Sequence, residues 1–236
     1  MYFRWKDRRI VVKIAVWSAN EGEASQFLQT LADAVHERVE LGELEGSQRE
    51  KAVGIRRNAE PIEVDESERR FSLFFCHPEG DIGEFEGHPV DYKLVAPDGP
   101  VEGNRAYDET VEGISGVIFI AEGSAESVGR NETALRALAA RTFRDAGEDS
   151  EVSLEDVGLL FGTDDAPGLR ILLPPDGSKE ADPEAFRGQL ALPDVVEVEE
   201  SRPWQANFAW RAFVRMAEQI RPRLRRAAER GAFPTS

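Results

Sequence analysis

The chain has 236 residues and a formal net charge of -16, from 29 Lys and Arg against 45 Asp and Glu. That length favours one domain of moderate size, able to bury its own core without disulfides or metal. The acidity argues against non-specific nucleic-acid or anionic-membrane binding, which needs clustered positive charge, and the 41% hydrophobic content argues against a disordered acidic tail.

Cys76 is the single cysteine, so neither an internal disulfide nor a multi-Cys zinc site is available. No apolar run approaches the roughly 18 residues of a membrane span. The first residues lack the apolar core of a signal peptide, so a cytoplasmic protein is expected. Residues 1–9 form a basic-aromatic extension, with Tyr2, Phe3 and Trp5 interleaved with Arg4 and Lys6. It either packs on the body or anchors a partner, since Trp, Tyr and Arg are common interface anchors.

Ile10 to Trp17 is an apolar, β-branched run and reads as a buried strand. After a polar loop, Ala24, Phe27, Leu28, Leu31, Ala34 and Val35 recur on one face of a helix starting near Glu23. Residues 42–60 read as a long loop. Arg69–His77 and Val90–Val95 read as two strands of a hairpin, with a turn signal at Pro78–Asp81 and a second at Pro97–Pro100. A weak helix over 104–112, a buried strand over Gly116–Ala121 and a helix from Ala125 to Ala146 follow. A short helical stretch at Leu154–Leu160, a strand at Leu169–Leu173, a helix at Pro183–Leu190 and a strand at Val195–Val198 come next. A basic C-terminal helix spans 204–230, with Pro222 expected to kink it or end its regular part. Alternating strands and helices imply an α/β fold: a mostly parallel central sheet with one antiparallel edge pair and helices on both faces.

That order of elements resembles the Ras-like small GTPase domain, and most closely the bacterial Mgl-type polarity and gliding GTPases. Three stretches carry the resemblance. Val12–Trp17 leads into a loop and an amphipathic helix where the family has its phosphate loop. Ser67–Phe75 with Gly80–Phe85 resembles the exit of switch one and the hairpin after it. Pro97-Asp98-Gly99-Pro100, followed by Gly113–Ala121, resembles switch two and the fourth strand. The resemblance covers roughly residues 10–225 and implies a single Ras-like P-loop GTPase fold over 1–236.

The nucleotide chemistry departs from the family pattern. A working phosphate loop, G-x-x-x-x-G-K-[ST], wraps phosphates with backbone N–H groups, meets them with Lys and holds Mg²⁺ through Ser or Thr. Here Trp17 stands at the first Gly, where it adds an indole beside the expected phosphates. Gly22 is kept, Glu23 replaces the Lys, and Ala24 replaces the hydroxyl residue, with Ser25 one place on. Pro100 stands where the family has its water-orienting Gln, beside Asp98 and Gly99. Pro174 and Pro175 stand at the Asn and Lys positions of the base-reading box, with Asp176 out of register. The resemblance therefore implies a pseudo-GTPase that has lost GTP, GDP and Mg²⁺ binding. No metal site and no catalytic residues are expected, and the protein reads as a binding or regulatory module.

For Mgl-type GTPases the resemblance implies roadblock-fold dimers as partners, or pairing with an active small GTPase. Arg105, Tyr107, Arg221 and Arg225 are the candidate partner surface. The alternative is an atypical nucleotide-binding switch or slow GTPase with a rebuilt site, using Asp98 and Arg9 or Arg105 as the replacement cation. Cys76 and His77 are adjacent on a strand and point to opposite faces, which argues against a nucleophile pair. The acidic run Glu79, Asp81, Glu84, Glu86 reads as a solvated hairpin.

Overall fold

A computed structural model describes residues 1–40, 70–78, 80–98, 105–143, 152–161, 163, 166–176 and 180–233. The long loop expected over 42–60 and the turn residues Gly99 and Pro100 lie outside the described residues, as does the end of the helix expected to reach Ala146. In chain order the elements are β1 (Tyr2–Arg4), β2 (Arg9–Ser18), α1 (Glu23–Glu40), β3 (Arg70–Cys76), β4 (Glu84–Phe85), β5 (His88–Asp98) and α2 (Arg105–Val111). Then come β6 (Gly116–Ile120), α3 (Val128–Thr142), α4 (Leu154–Phe161), β7 (Gly168–Leu173), α5 (Pro183–Gln189), β8 (Glu197–Glu200) and α6 (Ala206–Glu229).

The strands lie in the order β3-β5-β2-β6-β7-β8. Every pair along that path is parallel except β3 with β5, which is antiparallel. The two added strands, β1 against β2 and β4 against β5, are also antiparallel. The expected single antiparallel pair is therefore joined by two more.

Strand alternation divides the core in two. Ile10, Val12, Ile14 and Val16 of β2 face α1 and α6, together with Phe74, Tyr92 and Ile118. Ala15 and Trp17 face the opposite way, towards α2, α3, α4 and α5, with Val117, Phe119 and Ile171. Both faces are covered, which is why the central strands read as continuous apolar runs. The apolar stripes expected on α1 and α6 are the buried ones, from Phe27 and Leu31 to Phe213 and Ile220. Each such side chain contributes about 1.5–3 kcal/mol of burial. A Cβ at Gly116 would run into Met216 Sδ, so glycine lets α6 lie close against β6.

Residues 1–9 pack on the body, one of the two readings open for them: β1 hairpins onto β2, and Phe3 packs edge-on to Trp5 and His88 and stacks with Phe233 at 6.3 Å. Three other elements differ from expectation. A 3-10 turn over Gly80–Gly83 overlaps the turn expected at Pro78–Asp81, but the β3–β5 connection also holds an unexpected second hairpin, β4–β5, whose tight turn is Glu86-Gly87, both at positive φ. The last strand starts at Glu197, not Val195, because buried Arg170 on β7 draws Glu197 into an ion pair at 2.5 Å; Val195 is left exposed. Finally, α6 runs through Pro222 to Glu229. Among the described residues, no helix is long and apolar enough to cross a membrane.

Candidate functional site

Parallel α/β sheets bind ligands beyond the carboxyl ends of their strands, where loops diverge to opposite faces. Here β2 ends at Ser18, β5 at Asp98, β6 at Ile120 and β7 at Leu173. The topology thus brings the loop 18–22, Asp98 and Pro174–Asp176 to one end of the sheet. The loops there are interlocked. The Ala19 N–H donates to the Ile120 carbonyl at 3.2 Å. Glycine at position 123 lets that backbone pass against the Pro174 carbonyl and the Asp176 amide, which a Cβ would meet.

The loop after β2 is occupied by its own side chains. Glu23, the first residue of α1, turns its carboxylate back over the loop. It accepts a hydrogen bond from Ser18 Oγ at 2.8 Å and another from Asn20 Nδ2 at 3.1 Å. Ser18 Oγ in turn accepts from the Asn20 backbone N–H at 3.0 Å. Gly22, at φ +81, supplies the left-handed turn into the helix, and its carbonyl receives the Gln26 N–H. A carboxylate in the first turn suits the positive end of a helix. It satisfies the loop without any ligand.

A second carboxylate faces the same loop. Glu122, just past β6, is engaged by Arg130 through two bonds of 2.7 and 2.6 Å. Arg130 holds the Glu122 carboxyl below the usual range; burial opposes this slightly, and the Asn20 amide adds to it. The Glu122 backbone is fixed by Asn131, whose Oδ1 accepts from its N–H and whose Nδ2 donates to its carbonyl, both at 2.9 Å. Asn20 therefore sits between two carboxylates, and Glu21 stands exposed beside them. This end of the sheet therefore carries the Glu23 carboxylate, exposed Glu21 and the Glu122–Arg130 pair.

The remaining site residues fall as follows. The Trp17 indole does not enter the loop. Strand alternation turns it into the opposite core, fully buried and edge-on to Tyr107 at 4.6 Å between ring centroids. Ala24 lies on the buried face of α1, and Ser25 Oγ meets Ser72 Oγ at 3.0 Å, which ties α1 to β3. Asp98 ends β5 opposite Arg70. Pro174 and Pro175 are partly buried and Asp176 is exposed.

The candidate partner surface is not continuous. Tyr107 is buried against Trp17, with the Arg141 guanidinium over its ring, so it is a core residue. Arg105 opens α2. Arg221 lies on α6 over the Phe85 ring and donates to the Asp81 and Glu84 carbonyls, which clamps the β3–β5 connection. Arg225 is exposed on α6. Arg9, the alternative phosphate cation, begins β2 and lies about 30 Å of strand away from Ser18. It pairs instead with Asp91 at 2.6 Å.

Two clusters escaped the sequence. Buried Asp91 on β5 collects Arg4, Arg9 and His77, at 3.2, 2.6 and 2.7 Å. Its partners are 87 and 82 residues away for the two arginines, so no local pattern reveals them. Lys13 on β2 does leave a signal, as the lone charge inside an apolar strand. Its Nζ donates to the Glu109 and Glu112 carbonyls at the end of α2, at 2.5 and 2.8 Å. No known protein-family model and no curated protein matches the chain.

Proposed function

We propose that the protein is a pseudo-GTPase, a Ras-like domain of Mgl-type character that has given up nucleotide chemistry and acts as a protein-interaction or regulatory module. The observation that carries this reading is the Glu23 carboxylate, folded onto Ser18 and Asn20 inside the loop where phosphates would lie. A charge pair at about 4 Å is worth ~4 kcal/mol at an effective dielectric of ~20. Replacing an attractive Lys by Glu turns that gain into a loss of similar size. Micromolar binding amounts to only about 8 kcal/mol in total.

The Ras-like half of the reading is supported by the strand order with its antiparallel edge strand β3. The layering supports it too, with the first and last helices on one face and the intervening four on the other. The intended partner under this reading is a roadblock-fold dimer or an active small GTPase, met in the cytoplasm. The alternative of a rebuilt nucleotide switch loses Arg9 to Asp91.

Isothermal calorimetry tests the proposal on the whole protein. With Mg²⁺ present, GTP and GDP should show no binding tighter than about 10 µM. A tighter constant for either nucleotide would sink the pseudo-GTPase reading.

A further inference from the structure

Between the sheet and α2 lies a cavity of about 320 Å³. On the sheet side Lys13 and Lys93 share its wall with Phe71, Leu73 and Val95, and Glu109, Thr110 and Glu112 line the opposite side. That volume is at the lower end of the range for small-molecule sites. Lys13 and Lys93 are direct register partners on β2 and β5, so two ammonium groups are placed side by side on one face of the sheet. Like charges directly opposite each other on a sheet are destabilising.

Capping α2 does not account for this pair. A lysine that only neutralises a helix C-terminus serves best when fully charged and solvated. Lys13 is instead set half-buried on a strand, beside a second cation. Burial first, and the Lys93 ammonium second, bring the Lys13 amine down to about 8, against the opposing pull of Glu112 and Glu109. The groups that face it are thus Lys93 from β5 and Glu109 and Glu112 from α2, with the Met1 amino group also within electrostatic reach. Desolvation plus an adjacent cation is one recognised way to make a lysine nucleophilic. The Glu109 and Glu112 carbonyls accept hydrogen bonds from Nζ and fix it against the cavity; these bonds favour the ammonium and are exchanged for the C=N bond when an imine forms.

We propose that Lys13 is a nucleophilic amine that captures a small aldehyde or ketone with an apolar body, holding it in this cavity as an imine. The Nζ lone pair attacks the carbonyl carbon and forms the C–N bond. The carbonyl oxygen then leaves as water with the two amine hydrogens, so amine and carbonyl compound give imine and water with no oxidant or reductant. The apolar body rests on Phe71, Leu73 and Val95. This site lies on the α2 side of the sheet and stands or falls independently of the nucleotide reading.

Reductive trapping tests it. The full-length protein is incubated with benzaldehyde and cyanoborohydride between about pH 6 and pH 10, and each lysine is followed by peptide mapping. At about pH 7.4, roughly one-fifth of an amine titrating near 8 is neutral, against about one in a thousand for an ordinary lysine. Lys13 should therefore be labelled at least ~10-fold faster than exposed Lys6, with a midpoint near pH 8. Lys93→Met should move that midpoint upward and slow labelling several-fold near neutrality, and Lys93→Arg should restore the wild-type profile. Labelling of Lys13 no faster than Lys6, or a wild-type profile still rising through pH 10, would overturn the proposal.

Discussion

Asp91 is 2% exposed and meets Arg4, Arg9 and His77, so its charge state governs how the N-terminal hairpin is held. Burial pushes its carboxyl up, but the His77 hydrogen bond and the charges of His77 and Arg9 together outweigh it, and the net shift is downward. A carboxyl depressed in the folded state stabilises the fold above its unfolded value, near 3.8, and loses that contribution as pH falls through the folded one. Asp91→Asn leaves Arg4, Arg9 and His77 facing a neutral amide. Arg4 and Arg9 are 45% and 22% exposed and can be solvated, so losing these charge-assisted bonds costs about 1.5–3 kcal/mol. Urea unfolding near neutral pH should show that loss. The gap between wild type and variant should narrow below about pH 4, where the wild-type carboxylate is itself being protonated. None of this was legible beforehand, because the partners meet only through the sheet. Glu23 was legible as a carboxylate at the start of α1, but its hydrogen bonds to Ser18 and Asn20 were not. Glu23→Ala removes both bonds at the start of α1 and should cost about 0.5–2 kcal/mol in the same measurement. It should not create nucleotide binding, since Glu122 still faces the loop.

At the scale of elements, the longer amphipathic patterns were readable and the short irregular ones were not. A stripe repeated through α1 or α6 is redundant over several turns, so one polar intruder does not hide it. β1 has three residues of mixed exposure and no pattern of its own; it exists because Phe3 packs near Phe233 and because Arg4 reaches Asp91. β8 was displaced because its register follows Arg170, a single buried cation on the neighbouring strand. Pro222 illustrates tertiary override. It lacks the N–H that would bond back to the Glu218 carbonyl, yet Ile220 and Leu224 on either side are buried and hold the helix in place. Pro222 is exposed, so Pro222→Ala should restore that bond without disturbing the core. The helix-propensity gain, reduced by the looser unfolded chain, should raise stability by about 1–2 kcal/mol and the melting temperature by several degrees. Gly116→Val should do the opposite. Its side chain would press on Met216 and Ile220 and push α6 off the sheet, with a loss of at least about 1–3 kcal/mol in thermal unfolding.

The whole molecule is organised by strands that belong to two cores at once. β2 sends Ile14 and Val16 to the α1–α6 layer and Ala15 and Trp17 to the α2–α5 layer. β6 does the same with Ile118 and Phe119. This is why the parallel architecture could be read from the sequence: strands buried on both faces must be apolar throughout, and such runs alternating with amphipathic helices leave few topologies. It also explains why the interior Lys13 stands out within such a strand, and why the excess acidic charge lies outside both cores. Because neither core can dissolve without exposing the other face of β2 and β6, the two layers should unfold together. Leu135→Ala removes packing on one side and Leu224→Ala on the other, each from a side chain that is 0–1% exposed. Either change should lower stability by about 2–5 kcal/mol. Calorimetric melting should keep a single transition in both variants and in the double mutant, with losses that add to within about 0.5 kcal/mol, since the sites lie on opposite sides of the sheet and share no partner. A second, separately shifted transition in either variant would mean that the layers are independent units and that β2 does not couple them.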